Sequence, residues 1–274
     1  MKILFDIGGT KTRIAKALNG EGFSDPVIFE TAHNYEEGIK KFIEAVREVS
    51  GGQKIETLCG GIAGPFGGKN RSLLTSPNLS GWVEKPFVVD LEKAFDANIN
   101  IENDSAMVGL GESSFGAGKG FGIVAYITVS TGVGGVRIID GKIDRKSIGF
   151  EPGHQIVDMD KTLISDADGI TLGDYISGRG VEKRTGKKPF EITDNGFWDK
   201  MARVLAVGLN NTIVHWSPDV VVLGGSMMKE VGISVDKTDE YLKETLKIFP
   251  QTPPLKRAEL GDLGGLYGAL VYNQ

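Results

Sequence analysis

In Leu4-Phe5-Asp6-Ile7-Gly8-Gly9-Thr10-Lys11-Thr12 an apolar run carries a single acid into a glycine pair. A turn without Cβ atoms lets a polyphosphate approach backbone N–H groups, and Thr10, Lys11 and Thr12 add hydroxyls and a cation. Burying Asp6 is costly unless it meets a cation, an ordered water or a donor, and a magnesium ion escorting a nucleotide meets that need. A hairpin turn with a capping Asp is the structural reading of the same residues. Ser130-Thr131-Gly132-Val133-Gly134-Gly135 repeats the small, polar, glycine-rich pattern, and Gly224-Gly225-Ser226 makes a third such turn. Polar groups of another kind stand at Glu102-Asn103-Asp104, at Ser76-Pro77-Asn78 and at Glu151-Pro152-Gly153-His154.

The elements around them must bring these residues together. Ile3 to Ile7 suits a buried strand, Arg13 to Leu18 a second that ends in the hairpin signal Asn19-Gly20, and Val27 to Thr31 a third. Ile39, Phe42, Ile43, Val46 and Val49 fall at helical spacing within Tyr35 to Val49. Ile55 to Ile62 returns to strand and ends in the Ala63 to Gly68 loop, whose composition argues against regular structure. Asp90 reads as the N-cap of a helix through Phe95. Ile99 to Ile101 is a short strand that delivers Asn103 and Asp104 to its carboxyl end, where ligands of α/β sheets collect. A helix from Ser105 to Glu112 follows.

Phe121 to Val129 and Val136 to Ile139 repeat the opening plan of strand, glycine turn and strand. Asp158 to Gly173 is acidic and loop-like. Helices are expected over Asp174 to Arg184, Phe197 to Trp216, Thr238 to Phe249 and Leu263 to Val271, with a strand over Val220 to Leu223 whose glycine turn opens a helix. The architecture predicted is α/β, in two lobes over residues 1–114 and 115–274, the last helix packing back on the first lobe.

A chain of 274 residues with 40% hydrophobic content supports two cores of ordinary size. A net charge of -5 gives no electrostatic reason to expect nucleic acid or an anionic membrane. Cys59 is the only cysteine, so neither an intramolecular disulfide nor a cysteine-rich zinc site can form. No apolar run reaches spanning length and Met1-Lys2 leads directly into a strand, so a cytoplasmic protein is expected.

Several stretches together resemble the ROK family of sugar kinases, within the actin-like, ribonuclease-H-like ATPase folds. They are Asp6 to Thr12, Asn78 after Pro77, Glu102-Asn103-Asp104, Thr128 to Gly135, Glu151 to His154, Tyr175 to Arg179 and Leu223 to Ser226. The resemblance implies a two-lobed fold with a central cleft and transfer of the γ-phosphate of ATP to the 6-hydroxyl of a hexose or N-acetylhexosamine. Asp104 is then the general base, and Gly64, Asn78, Asn103, Glu151 and His154 contact the sugar. Gly8, Gly9, Thr10, Lys11, Thr131 and Gly132 hold phosphates, Gly224, Gly225 and Ser226 lie by the adenosine, and Asp6 holds magnesium through water. A homodimer is implied as well.

The chain also departs from the family. Most members carry a cysteine-rich zinc motif after the Glu-x-Gly-His segment, whereas residues 158–171 contain no cysteine. No structural zinc is therefore expected. The family's sugar-binding Glu aligns with Gly173, and the adjacent Asp174 is the available substitute. Two other functions stay open: a sugar-sensing regulator, although no helix-turn-helix precedes Ile3, and an actin-like ATPase with a non-sugar substrate.

Overall fold

The computed structural model describes residues 1–18, 22–67, 71–229 and 231–273. The Asn19-Gly20 turn and Gly68 lie outside the described residues. The chain divides into two compact units, one of Met1–Phe115, Arg145–Gly149 and Asp262–Gln274, the other of Gly116–Asp144 and Phe150–Gly261.

The first unit is built on a sheet of β1 (Lys2–Ile7), β2 (Lys11–Leu18), β3 (Gly22–Phe23), β4 (Val27–Glu30), β5 (Thr57–Ile62) and β8 (Asn98–Asn103). The order is β3-β2-β1-β5-β8, with β4 also on β2. β1 pairs antiparallel with β2 and parallel with β5, which pairs parallel with β8. Alternation along β1 sends Ile3, Phe5 and Ile7 to one core and Leu4 to another, so Asp6 points to the Leu4 side. Burial on both faces explains why β1 reads as a continuous apolar run.

Helix α1 (Tyr35–Ser50) covers the first face, capped by the Asn34 side chain and ended by Gly51 in the left-handed region. The Ala63 to Gly68 loop was expected to be irregular, yet β6 (Phe66–Gly67) pairs with β7 (Ser72–Leu73). Gly64 at φ 131° turns the chain back, and the buried Leu73 rewards the pairing. Helix α2 (Phe87–Phe95) starts before the expected cap; Asp90 lies inside it, accepting a 2.7 Å bond from the Tyr35 hydroxyl. Helix α3 (Asp104–Phe115) begins immediately after β8.

The second unit repeats the hairpin-plus-parallel plan. β9 (Ile123–Val129) pairs antiparallel with β10 (Val133–Ile139), which continues to β11 (Lys142–Ile143). On its other edge β9 runs parallel to β12 (Val220–Gly224), and β12 parallel to β13 (Leu255–Arg257). The single helix expected over Asp174 to Arg184 is two, α4 (Leu172–Ile176) and α5 (Gly178–Thr185). Ser177 is extended, its N–H closing α4 on Gly173 and its hydroxyl capping α5 at Gly180.

Asp194 caps α6 (Asn195–Trp216), whose buried face includes Met201, Leu205, Leu209 and Ile213. After β12 the glycine turn opens only a short 3-10 turn, Ser226–Met228, in place of the expected helix. The next helix, α7 (Val235–Thr245), is set by its Ser234 cap and begins three residues before the predicted start. The chain then returns to the first unit as α8 (Gly264–Val271). Gly111, Gly264 and Gly268 let α8 lie directly on α3, where a Cβ at Gly268 would overlap the Met107 carbonyl. Among the described residues no helix is long and apolar enough to cross a membrane.

Candidate active site

In the first unit the register places Asp6 across from Gly61, and Gly61 across from Glu102. Asn103 and Asp104 follow at the carboxyl end of β8, the first closing the strand and the second opening α3. Gly61 makes their approach possible: a Cβ there would lie 2.9 Å from the Asp104 Cα. The Asn103 Oδ1 accepts the Ala106 N–H at 3.1 Å and so caps α3, which leaves its amide NH₂ for another partner. Ser105 donates its N–H to Asp104 Oδ1 at 2.8 Å, with its hydroxyl at 3.4 Å from the same oxygen. Both bonds fall on Oδ1.

Atoms packed around Asp104 withdraw it from water although part of its surface stays open, and this desolvation, with the charge of Asp6, pushes its pKa up to about 7. Asp6 is 8% exposed. Its own pKa is pushed up to about 6 by burial, against the opposing pull of Arg13, whose Nη1 lies 3.2 Å from Asp6 Oδ2. Arg13 also reaches Asp262 at 3.2 Å. On its other side Asp6 meets α8, since a Cβ at Gly265 would sit 2.9 Å from the Asp6 Cγ.

The glycine turn lies beside these acids. Gly8 spends its N–H on the Lys11 carbonyl at 3.0 Å, while the Gly9 and Thr10 N–H groups, outside both strands, make no such backbone bond among the described residues. A Cβ on Gly9 would lie 2.6 Å from the Asn78 Cβ, so turn and Asn78 touch. Lys11 is exposed. Ser76 fastens the Asn78 stretch to the Gly64 loop: its hydroxyl donates to the Ala63 carbonyl at 2.6 Å and accepts the Leu79 N–H at 3.1 Å. Ser76→Ala leaves two buried groups unpaired and is expected to cost about 2 kcal/mol, read from urea unfolding.

In the second unit Thr131 and Gly132 form the exposed tip of the β9-β10 hairpin. The carbonyls of Ser130 and Thr131 accept the N–H groups of Gly178 and Arg179 at 2.7 and 3.2 Å, which fixes α5 to the turn. Ser130 and Ser226 hydroxyls meet at 3.0 Å and join this turn to Gly224-Gly225. Gly225 takes φ 97°, and a side chain there would strike the Val129 carbonyl. Thr131 and Ser226 line a cavity of about 820 Å³ together with Arg179, Phe190, Met227 and Arg257. Glu151 and His154 stand exposed at either end of a 3-10 turn, with burial of the carboxyl raising the Glu151 pKa and His154 opposing.

The predicted residues thus gather as two groups. Asp6, Gly8 to Lys11, Gly64, Asn78, Asn103 and Asp104 belong to the first unit, and Thr131, Gly132, Glu151, His154 and Gly224 to Ser226 to the second. Arg13, Ser76, Ser130 and Gly265 were not foreseen as members. Asp174, the available substitute for the family's sugar-binding Glu, engages its own helix through one oxygen. Its Oδ2 is taken by its own helix, accepting the Thr171 hydroxyl at 2.6 Å and N–H at 3.0 Å.

For a metal, Asp6 offers hard oxygen chemistry with one oxygen on Arg13 and, among the described residues, no hydrogen bond on the other, which fits a magnesium ion held through water. Among the described residues no group of three or more His, Cys, Asp or Glu is placed to hold a metal directly. Without cysteines in residues 158–171, the chain does not fit the family's zinc.

The ROK family model matches residues 3–274. An N-acetyl-D-glucosamine kinase of Pectobacterium carotovorum is 27% identical, over 97% of this chain and 97% of its own. A ROK hexokinase from Thermus thermophilus superposes with a TM-score of 0.82 at 26% identity, over 98% of this chain and 96% of its own. A ROK glucokinase from Streptomyces griseus, solved with glucose and AMPPNP, gives 0.80 at 25%, over 98% and 97%. Both structures have the two-lobed actin-like fold, which is the fold of this chain.

Proposed function

The chain belongs to the ROK family, and we propose that it transfers the γ-phosphate of ATP to the 6-hydroxyl of a hexose or N-acetylhexosamine, with Asp104 as general base. The relatives it matches include an N-acetyl-D-glucosamine kinase, a ROK hexokinase and a ROK glucokinase, which supports sugar kinase activity. The observation that carries the finer reading is Asp104 itself: a largely desolvated carboxylate with its bonds on one oxygen, one glycine away from Asp6. A sugar hydroxyl is a poor nucleophile, and a positioned carboxylate of pKa near the working pH takes its proton efficiently.

The remaining residues bind and orient. The Asn103 amide, Asn78, Glu151 and His154 hydrogen-bond ring hydroxyls beside Gly64. Gly8, Gly9, Thr10, Lys11, Thr131 and Gly132 meet the phosphates, where the N–H groups of Gly9 and Thr10, without a backbone bond among the described residues, suit an anion. Gly224, Gly225 and Ser226 meet the adenosine. Asp6 would hold magnesium through water, which when bound neutralises phosphate charge.

ADP release measured against glucose, mannose, fructose and their N-acetylamino forms, with ATP and magnesium, tests the proposal. Turnover confined to one or two of these sugars is expected. ADP release that no sugar accelerates would overturn it.

A further inference from the structure

Asp158 lies four residues after His154, and the residue is 9% exposed. It gathers donors from separate places: the Thr162 hydroxyl at 3.1 Å on Oδ1, and on Oδ2 the Leu163 N–H at 2.6 Å and the Tyr175 hydroxyl at 3.2 Å. Tyr175 is wholly buried in α4. One carboxylate therefore ties the start of the 158–169 loop both to itself and to a helix of the core. Hydrogen bonds to the charged form outweigh the cost of burial and hold the Asp158 pKa below its ordinary value.

What that knot holds is the stretch just before it. The Val157 N–H bonds the Ile170 carbonyl at 3.0 Å and the Leu172 N–H the Gln155 carbonyl at 2.9 Å, with Ile156 bridged to Thr171. Gly173 packs on the other end, where a Cβ would come 3.2 Å from the Gly153 carbonyl oxygen. The Glu151 to His154 turn is thus hung from a short two-stranded ladder whose open end is closed by Asp158 and Tyr175. No cysteine is present in this loop to close it with a metal.

We propose that Asp158 is a positioning residue for the acceptor sugar, its hydrogen bonds to Thr162, Leu163 and Tyr175 locking the ladder that presents Glu151 and His154. The proposal rests on the reading of those two residues as sugar ligands. An Asp158→Asn side chain keeps its size but loses one acceptor oxygen and the charge, so the donors on Oδ2 lose their partner. The ladder then frays, and the sugar meets a turn that is less often in place.

The experiment measures kinetics and amide hydrogen exchange for Asp158→Asn and Tyr175→Phe, beside Glu151→Gln and His154→Gln. Asp158→Asn is expected to raise the sugar KM about tenfold, with kcat and the KM for ATP within about twofold, and to speed exchange across residues 155–163. Tyr175→Phe should move the same quantities less, and the double variant no further than Asp158→Asn. Chelation of the protein followed by magnesium addition should leave the sugar KM unchanged.

An unchanged sugar KM in Asp158→Asn, while Glu151→Gln raises it, would overturn the proposal. A parallel loss of kcat and of affinity for both substrates would do the same, because it marks general unfolding. Should Glu151→Gln and His154→Gln both leave the sugar KM untouched, the ligand reading fails on its own. Exchange across 155–163 then decides the role of Asp158, and unaltered protection there overturns it.

Discussion

Asp104→Asn is expected to lower kcat about 10²–10⁴-fold while leaving the melting temperature at pH 8 equal to or above that of the parent. Loss of rate and gain of stability come from one cause. Desolvation and the neighbouring Asp6 push the Asp104 pKa from 3.8 up to about 7. The folded protein therefore holds this proton more tightly than the unfolded chain does. Stability from the group is complete below about pH 4 and is lost as pH rises through 7, so at pH 8 the ionised carboxylate is a burden that Asn removes.

The role proposed for Asp104 as general base needs that ionised form. In the parent, kcat/KM should fall with unit slope below about pH 7, and the limb should be missing from the residual activity of the variant. A rate unchanged by Asp104→Asn would remove the base assigned here. A melting temperature at pH 8 several degrees lower would contradict the desolvation that explains the raised pKa.

Gly268→Ala is expected to be the most damaging single methyl in the first unit. Its Cβ would overlap the Met107 carbonyl oxygen, a backbone atom in the middle of α3 that cannot rotate aside. Overpacking of this kind costs about 3 kcal/mol, or roughly 10 °C in melting temperature for a chain of this size. Because α8 also backs Asp6 through Gly265, activity should fall below the detectable level before the protein unfolds completely. Gly22→Ala, where the added atom meets nothing within 4 Å, is the matched control and should change neither. Equal melting curves for Gly268→Ala and the parent would show that the two helices do not pack as described.

Local signals carried most of the fold. β1 was readable because burial on both faces makes its sequence continuously apolar, and α1 and α6 because amphipathic spacing agreed with their caps at Asn34 and Asp194. The errors fell where one polar residue had several possible partners. Asp90 looked like a cap but bonds Tyr35, 55 positions away. Ser177 ends one helix and starts the next where periodicity suggested one.

The candidate site divides in the same way. Asp6, Asn103 and Asp104 could be named from their place at strand ends. Arg13 could not be assigned to Asp6, because the pairing depends on strand register, and Gly265 was invisible for want of any local sign that α8 returns to Asp6. Ser76 and Ser130 lay inside the motifs without an assigned role; only the fold shows that each fastens one loop to another.

The glycine-lined seam between α3 and α8 also has a consequence for biogenesis. On the ribosome α3 emerges early, and the helix that covers it is translated only after the whole of the second unit's strands and α4 to α7. At ordinary elongation rates the uncovered groove beside Asp6 waits on the order of ten seconds for its lid. Nascent chains stalled before Gly264 should therefore be bound by a hydrophobic-sensing chaperone, and lose it once α8 clears the exit tunnel.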